Sequence, residues 1–217
     1  MSDFSHARRN MVLSQLAPSE VSDHRVLAAM GSVPREVFVP GALEAIAYVD
    51  EDIKVAEGRY LMEPVVLARL LQEARPMSSD LALDLACATG YTTAVLGRLV
   101  GTVVAVERDA GLVRRASELL ARLGVDNAAV VSGDVVRGRP DQGPYNVILI
   151  NGRVPKVPSA LFDQLAEGGR LVTVVGEERS SAAMCFRKSG GSITPRRLFD
   201  ASVPTLPEFL QPVGFVF

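Results

Sequence analysis

Short apolar runs alternate with helix-like segments from about residue 64 onward, and this alternation constrains the fold more than any other sequence feature. The runs are rich in Val, Leu and Ala, which is typical of strands buried on both faces of a sheet. The predicted elements are helix 64–74, strand 81–86, helix 91–100, strand 102–107, helix 110–123, strand 128–132, strand 145–150, helix 159–167 and strand 170–175. Strands that alternate with helices predict an α/β fold with a mainly parallel sheet and helices on both faces.

The tail, residues 182–217, has a different pattern and reads as β segments. The predicted strands are 182–188, 193–199 and 213–217, and Ser189-Gly-Gly-Ser192 is a typical hairpin turn between the first two. Helix 159–167 is expected to stop at Gly168-Gly169. We therefore expect antiparallel strands at one edge of the sheet.

The front segment, residues 5–63, has no run of strand length. Its predicted elements are a helix over 7–16, a second helix capped at Ser22 or Asp23 that runs to Met30, and an extended piece between Val33-Pro34 and Val39-Pro40. We expect a single domain in which residues 64–217 form a ligand-binding α/β core. Residues 1–63 would then pack over the carboxyl ends of the strands and cover the site.

Composition narrows the classes of function. The chain has 217 residues, of which 48% are hydrophobic, with a formal net charge of −2. This balance lacks the basic bias of nucleic-acid-binding domains. Cys87 and Cys185 have no metal-ligand spacing and form no disulfide framework, so buried free thiols and no metal are expected. No stretch has the length of a membrane span and the N-terminus lacks a secretory apolar region, which predicts a soluble cytoplasmic protein without a membrane partner.

Three strand ends carry residues suited to a ligand. Asp84-Leu-Ala-Cys-Ala-Thr-Gly90 joins the first core strand to a helix, and small residues in such a turn let the backbone approach a ligand closely. Glu107 ends the second strand, where a carboxylate can accept both hydroxyls of a ribose, and Gly133-Asp134 follows the third. Together they predict a site for an adenosine-containing cofactor.

Each of these residues also has a simpler structural interpretation. The turn could be a tight strand-to-helix connection without a ligand, and Asp84 could cap it. Glu107 could be a solvated acid at a strand end, and Asp134 a turn residue. Tyr91 is as compatible with packing at the start of the helix as with a cofactor contact. The ordered set is more specific than any one member.

The order of turn, ribose acid and Gly-Asp resembles the class I S-adenosylmethionine-dependent methyltransferases, which implies a Rossmann-like fold. In that class the turn often reads Asp-Leu-Ala-Cys-Gly-Thr-Gly, and here Ala88 stands in place of the central glycine. If the turn needs a positive φ at this position, alanine costs on the order of 1 kcal/mol there.

The front segment resembles a narrower family, the protein-L-isoaspartate O-methyltransferases. The resemblance is carried by Asp23-His-Arg25-Val-Leu-Ala-Ala-Met30, Val33-Pro-Arg-Glu36, Phe38-Val-Pro40 and Ala47-Tyr48-Val-Asp50, and it continues through the core to Gly168-Gly-Arg-Leu-Val172. It implies methyl transfer from S-adenosylmethionine, leaving S-adenosylhomocysteine, to the carboxylate of an isoaspartyl residue in a damaged protein or peptide. The implied cofactor-binding positions are Asp84, Ala86, Ala88, Gly90, Tyr91, Glu107, Arg108, Gly133, Asp134 and Val135.

The chain departs from this family in the loop before the helix at Pro64. The family loop reads Gly-Gln-Thr-Ile-Ser-Gln-Pro, and its Ser lies near the acceptor carboxylate. Here the candidate substrate loop contains Arg59, Tyr60, Met62 and Glu63, with Met62 in the Ser position. A thioether donates no hydrogen bond, and Glu63 would repel an anionic acceptor. Arg59 could compensate by pairing with Glu63 or with the acceptor.

These departures leave the catalytic residues unassigned and two alternatives open. The chain could be a catalytically impaired paralogue that binds cofactor or a partner protein, or a methyltransferase with a different acceptor.

Overall fold

The computed structural model describes residues 4–210, which form a seven-stranded mixed sheet flanked by helices. The strands are β1 Ile53–Ala56, β2 Arg59–Leu61, β3 Leu81–Leu85, β4 Thr102–Glu107, β5 Ala128–Ser132, β6 Tyr145–Val154, β7 Leu165–Glu177, β8 Ser180–Ser189 and β9 Ser192–Asp200. The α-helices are α1 Ser5–Asn10, α2 His24–Ser32, α3 Pro64–Ala74, α4 Tyr91–Gly97, α5 Ala110–Arg122 and α6 Ser159–Asp163. The predicted Rossmann-like α/β fold is confirmed.

The strand order creates a crevice at the carboxyl ends of the parallel strands. The main sheet has the order β5-β4-β3-β6-β7-β8-β9. The chain first builds outward from β3 through β4 to β5, then crosses to β6 on the other side of β3, where it again pairs in parallel. Ligands in open α/β sheets bind outside the carboxyl ends of the strands at such a reversal of strand order.

The central strands could be predicted from the sequence because they are buried along their length and therefore consist of continuous apolar runs. In β4 every residue after Thr102 is buried, as expected for a parallel strand covered on both faces. Helix α3 begins with Pro64 at its first turn and buries Leu67, Leu70 and Leu71. The bounds of α3, β4 and β5 agree with those predicted.

The antiparallel edge predicted for the tail is also present. Strands β8 and β9 pair antiparallel, with Ser189 opposite Ser192. The two turn residues both have positive φ angles, +57° at Gly190 and +74° at Gly191. The commonest two-residue hairpin turn needs such angles at both positions, and glycine adopts them readily. The predicted strand 213–217 lies outside the described residues.

The front segment holds α1, a π-helical turn Met11–Leu16, α2 and two 3-10 helices, Arg35–Phe38 and Gly41–Ile46. Asp23 caps α2 by accepting a hydrogen bond from the Arg25 amide. Buried side chains of this segment belong to the same hydrophobic cluster as residues of α3, α4 and the central strands. The front segment is thereby packed against the sheet and its helices.

Three local predictions were wrong. The piece between Val33-Pro34 and Val39-Pro40 is a 3-10 helix rather than extended, because a proline restricts only itself and the residue before it and leaves Arg35–Phe38 free to turn. The front segment does contain strands, the short antiparallel pair β1 and β2. Helix α6 stops at Asp163, since Leu165 already pairs with Tyr145 and opens β7, so Gly168-Gly169 lies within a strand.

Within residues 4–210, no helix is long and apolar enough to cross a membrane. Cys87 and Cys185 are both buried free thiols, as predicted.

Candidate active site

Asp84, on β3, accepts hydrogen bonds from residues of α4 and β6, next to the reversal of strand order. It is fully buried in β3 and accepts a 2.6 Å hydrogen bond from Thr93 Oγ1 on α4. Asn151 Nδ2 on β6 donates to Asp84 Oδ1 and, at 3.1 Å, to the carbonyl of Leu85. Burial raises the pKa of Asp84 to about 7, although both hydrogen bonds act against the shift. Asp84 therefore positions the turn that follows it.

The turn after β3 adopts left-handed backbone angles at two alanines. Ala86 has φ +57° and Ala88 has φ +51°, and Gly90 follows at φ +92°. Ala88, which stands where the related methyltransferases have a glycine, thus does adopt a positive φ. Left-handed angles cost an alanine about 1 kcal/mol or more, because its Cβ approaches the neighbouring carbonyl oxygen.

We expect Ala88→Gly to raise the free energy of unfolding by about 1 kcal/mol, because glycine adopts a positive φ without this strain. Urea unfolding measures the change. The matched control is Ala94→Gly within helix α4, where glycine should instead cost about 1 kcal/mol or more. Equal losses in both variants would show that Ala88 is not strained.

Glu107 has both carboxylate oxygens bound within the protein. The side chain is fully buried. Its Oε2 accepts from Arg59 Nε at 2.8 Å and from the Ala88 amide at 3.0 Å. Its Oε1 accepts from Arg59 Nη2 at 2.9 Å and from the Arg108 and Asp109 amides at 2.7 and 3.1 Å. The solvated acid considered from the sequence is therefore excluded, and the hydrogen-bonding positions predicted for a ribose are filled.

Arg59 bridges Glu107 to a second acid that the sequence did not single out, Glu208. Arg59 Nη2 lies 2.6 Å from Glu208 Oε1, and Nη1 lies 3.2 Å from Oε2. Burial lowers the pKa of the Arg59 guanidinium, but the hydrogen bonds to the two carboxylates outweigh burial and raise the pKa overall. Glu63, one of the two partners considered for Arg59 from the sequence, does not pair with it, since Arg59 pairs with Glu107 and Glu208. No local signal marks Glu208, since it lies in a 3-10 turn 149 residues along the chain from Arg59.

The rest of the candidate substrate loop is packed inward. Met62 is only 4% exposed, and its carbonyl accepts a 2.9 Å hydrogen bond from Arg35 Nη2. Tyr60 is half-buried in β2. The cavity between Tyr60 and Met62 on one side and Asn151 on the other measures about 10 Å³, no more than the space of one water molecule. This arrangement has no room for an acceptor carboxylate.

Glu63 lies beside other acids at the start of α3. Its amide donates to Asp52 Oδ1 at 3.0 Å. Burial, followed by the charges of Asp52, Asp50 and Glu51, raises the pKa of the Glu63 carboxyl to about 7. Burial likewise raises the pKa of Asp52 to about 6. Glu63 therefore lies among other acids, and Arg59 pairs with Glu107 and Glu208 instead.

The raised pKa of Glu63 predicts a pH-dependent effect of its removal. The folded protein favours the protonated Glu63 carboxyl. Glu63 therefore makes its full contribution to the free energy of unfolding below the unfolded-state pKa of about 4.3, and this contribution is lost as pH rises through about 7. We therefore expect Glu63→Gln to stabilise the protein by about 1 kcal/mol at pH 8, after allowance for solvent screening, and to change it little at pH 4. Thermal unfolding at both pH values measures this. A gain of the same size at pH 4 would contradict the ionisation argument.

The third strand end reaches the same edge of the sheet. The Gly133 amide donates to the Glu107 carbonyl at 3.0 Å, and Asp134 closes a turn by accepting from the Val136 amide at 2.9 Å. Asp134 is exposed, whereas Val135 is fully buried. The turn role of Asp134 is therefore present, and its exposure leaves it accessible to a ligand.

An open cleft lies at this edge, next to the ion cluster of Arg59, Glu107 and Glu208. Its volume is about 510 Å³, and these three side chains lie along its wall together with exposed Arg108. Small-molecule sites commonly have volumes of roughly 300–1,000 Å³. The cleft is therefore large enough for a nucleoside. Arg59, however, occupies the Glu107 oxygens that the ribose of a nucleoside would bind.

The front segment covers the turn from the other side. Thr89 Oγ1 donates to the Phe38 carbonyl at 2.7 Å. Tyr91 is 1% exposed, with its ring 5.6 Å from the Phe38 ring and 4.8 Å from the Arg35 guanidinium. Packing at the start of α4 therefore accounts for Tyr91.

S-adenosylmethionine fits this site in residue type but not in the present arrangement. The small-residue turn, the acid at the end of β4 and Gly133 suit an adenosine-containing group. Ala86 and Ala88 are each only 1% exposed, however, and Arg59 occupies the oxygens of Glu107. Binding would require Arg59 to leave Glu107.

Comparison with known proteins agrees with the fold. The family model for protein-L-isoaspartate(D-aspartate) O-methyltransferase matches residues 7–203. A protein-L-isoaspartate O-methyltransferase of Koribacter versatilis is 38% identical over 200 residues, covering 92% of this chain and 90% of the relative.

Solved structures show the same architecture. A protein-L-isoaspartate O-methyltransferase structure matches with a TM-score of 0.79 and 27% identity over 91% of this chain, which spans 65% of that structure's length. A Plasmodium falciparum beta-aspartate methyltransferase in complex with S-adenosyl-L-homocysteine matches in fold, with a TM-score of 0.80 at 21% identity, covering 96% of this chain and 100% of that one. The chain therefore belongs to the protein-L-isoaspartate(D-aspartate) O-methyltransferase family.

Proposed function

We propose that this protein is an S-adenosylmethionine-dependent methyltransferase that methylates the carboxylate of isoaspartyl residues in damaged proteins or peptides. The observation that carries the proposal is the convergence of the Ala86–Gly90 turn, Glu107 and Gly133-Asp134 at one sheet edge, in a chain whose family model matches residues 7–203. A relative of known structure in the same fold is a complex with S-adenosyl-L-homocysteine.

The bound cofactor would supply a methyl group on a positively charged sulfur. The acceptor carboxylate is already ionised at neutral pH, so catalysis rests mainly on holding the two reactants in line. In this chain Glu107 would hold the ribose and the Ala86–Gly90 backbone the methionine portion, with Arg108, Asp134 and Val135 around the adenine. Tyr60, Met62 and Glu63 would border the acceptor after the closed space beside Met62 widens.

The proposal places the protein in the cytoplasm, with an isoaspartyl protein or peptide as its partner. The two buried free thiols suit a reducing compartment. The named relatives are protein-L-isoaspartate O-methyltransferases, which supports this kind of partner.

A methyl-transfer assay tests the proposal. Purified protein is incubated with radiolabelled S-adenosylmethionine and an isoaspartyl peptide, with the matching aspartyl peptide as control. Label that enters only the isoaspartyl peptide, as a base-labile ester, is the expected result. Absence of label in a protein that binds S-adenosylhomocysteine would contradict the assigned acceptor.

A second candidate is a catalytically impaired member of the family that binds cofactor or a partner protein. Two observations favour it. The Glu107 oxygens are bound by Arg59, and the space beside Met62 is closed to about 10 Å³. This candidate predicts no methyl transfer to any isoaspartyl peptide, whether the protein binds cofactor or only a partner protein.

A further inference from the structure

We propose that Arg59 is an internal competitor for the cofactor, which binds only when Arg59 shifts from Glu107 onto Glu208. This inference rests on the proposed function and adds to it a control over cofactor access. It assigns opposite roles to two residues of one ion cluster: Arg59 opposes cofactor binding, and Glu208 makes it possible.

The first step is the overlap between Arg59 and the ribose. Two parallel hydrogen bonds of 2.8 and 2.9 Å join Arg59 Nε and Nη2 to the two oxygens of Glu107. These are the oxygens that a ribose would need, and three backbone amides already use their remaining positions. Arg59 and a ribose therefore cannot bind Glu107 at the same time.

The second step is the fate of Arg59 when it leaves. A buried guanidinium without a carboxylate is strongly disfavoured. Glu208 removes this penalty, since it already contacts Nη2 at 2.6 Å and Nη1 at 3.2 Å. Arg59 can give up Glu107 and remain ion-paired. One guanidinium between two carboxylates thus forms a two-position switch.

The third step is how Glu208 is held in place. Residues 203–210, here called the strap, run beside the end of β6. The Arg153 amide donates to Pro204 and the Leu206 amide to Arg153, at 3.0 and 2.9 Å. Leu206 packs over Gly152, where an added Cβ would lie only 2.7 Å from Leu206 Cγ. The strap therefore keeps Glu208 beside Arg59 without help from the ion pair.

The test is calorimetric titration with S-adenosylhomocysteine of the wild type, Arg59→Gln and Glu208→Gln. Arg59→Gln should bind at least tenfold more tightly than wild type, because Glu107 is freed. Glu208→Gln should bind severalfold more weakly, because Arg59 then has no second carboxylate. The double variant should match Arg59→Gln, since Glu208 has no role once Arg59 is absent.

Opposite signs separate this account from a merely structural cluster, whose disruption would weaken binding in both single variants. Arg59→Lys serves if Arg59→Gln does not fold; a lysine cannot form the paired hydrogen bonds, and it too should bind more tightly. No gain in affinity in a folded Arg59 variant would overturn the proposal, as would tighter binding by Glu208→Gln.

Hydrogen exchange without ligand supplies an independent measurement. In Arg59→Gln, peptides over 57–63 should exchange severalfold faster than in wild type, while peptides of α5 should be unchanged. Equal exchange over 57–63 in wild type and Arg59→Gln would show that Arg59 does not hold this segment in place, and it would overturn the proposal. If no variant binds S-adenosylhomocysteine, the proposed function fails and the competition fails with it. If all bind equally, only the competition is overturned.

Discussion

Glu107→Gln is expected to lower the free energy of unfolding by about 3 kcal/mol. The change removes the negative charge of the buried Arg59–Glu107 ion pair and leaves the positive charge of Arg59 buried. Glutamine keeps the shape and one acceptor oxygen but loses the charge that faces Arg59. The guanidinium then keeps only Glu208, whose side chain is 13% exposed. Urea unfolding, with the slope checked for two-state behaviour, measures the loss.

Two further variants make this prediction specific. Glu57→Gln removes an acid from an exposed ion pair with Lys54 and should leave stability unchanged. Combining Glu107→Gln with Arg59→Gln removes both buried charges and should recover part of the loss. A Glu107→Gln protein as stable as wild type would show that Arg59 and Glu107 are not paired in solution.

The second large effect concerns methyl transfer, which we expect to rise roughly 10- to 100-fold in Met62→Ser with Glu63→Gln. The double variant restores the family residues at positions 62 and 63, while Arg59, Tyr60 and Leu61 still differ from the family pattern quoted above. A hydroxyl that donates to the acceptor carboxylate contributes about 1.5–3 kcal/mol, and each 1.4 kcal/mol is a tenfold change in rate. The Glu63→Gln change also removes a charge that repels the acceptor.

The matched control is Met62→Ala with Glu63→Gln. Both double variants empty the same buried space, at a stability cost of about 2 kcal/mol or more, so folding is checked in each. Only the serine supplies a hydroxyl. Equal methyl-transfer rates in the two variants, measured with an isoaspartyl peptide, would show that hydrogen bonding at position 62 does not limit the reaction.

The sheet was predictable because its signals are local. Strand β4 is a continuous Val-rich run, helix α3 opens with Pro64, and the Gly190-Gly191 turn fixes a hairpin. The end of α6 was not predictable, since the pairing of Leu165 with Tyr145 overrides the helical pattern. Strands β1 and β2 were missed because three or four residues carry no readable periodicity.

The candidate site divides in the same way. The Ala86–Gly90 turn, Glu107 and Gly133-Asp134 follow apolar runs, so their position at one edge could be inferred. The ion cluster could not, because Arg59 is 48 residues from Glu107 and 149 from Glu208 in sequence. The sequence suggested an acid at the end of β4 that either holds a ribose or is solvated, whereas in the fold Arg59 pairs with it.

A crystal structure of the wild-type protein with S-adenosylhomocysteine tests the central claim most directly. The predicted result is a ribose whose two hydroxyls lie within about 3 Å of the Glu107 oxygens, with the Arg59 guanidinium paired to Glu208 alone. An Arg59 guanidinium still paired with Glu107 while the cofactor is bound, or a cofactor bound away from the end of β4, would contradict the account.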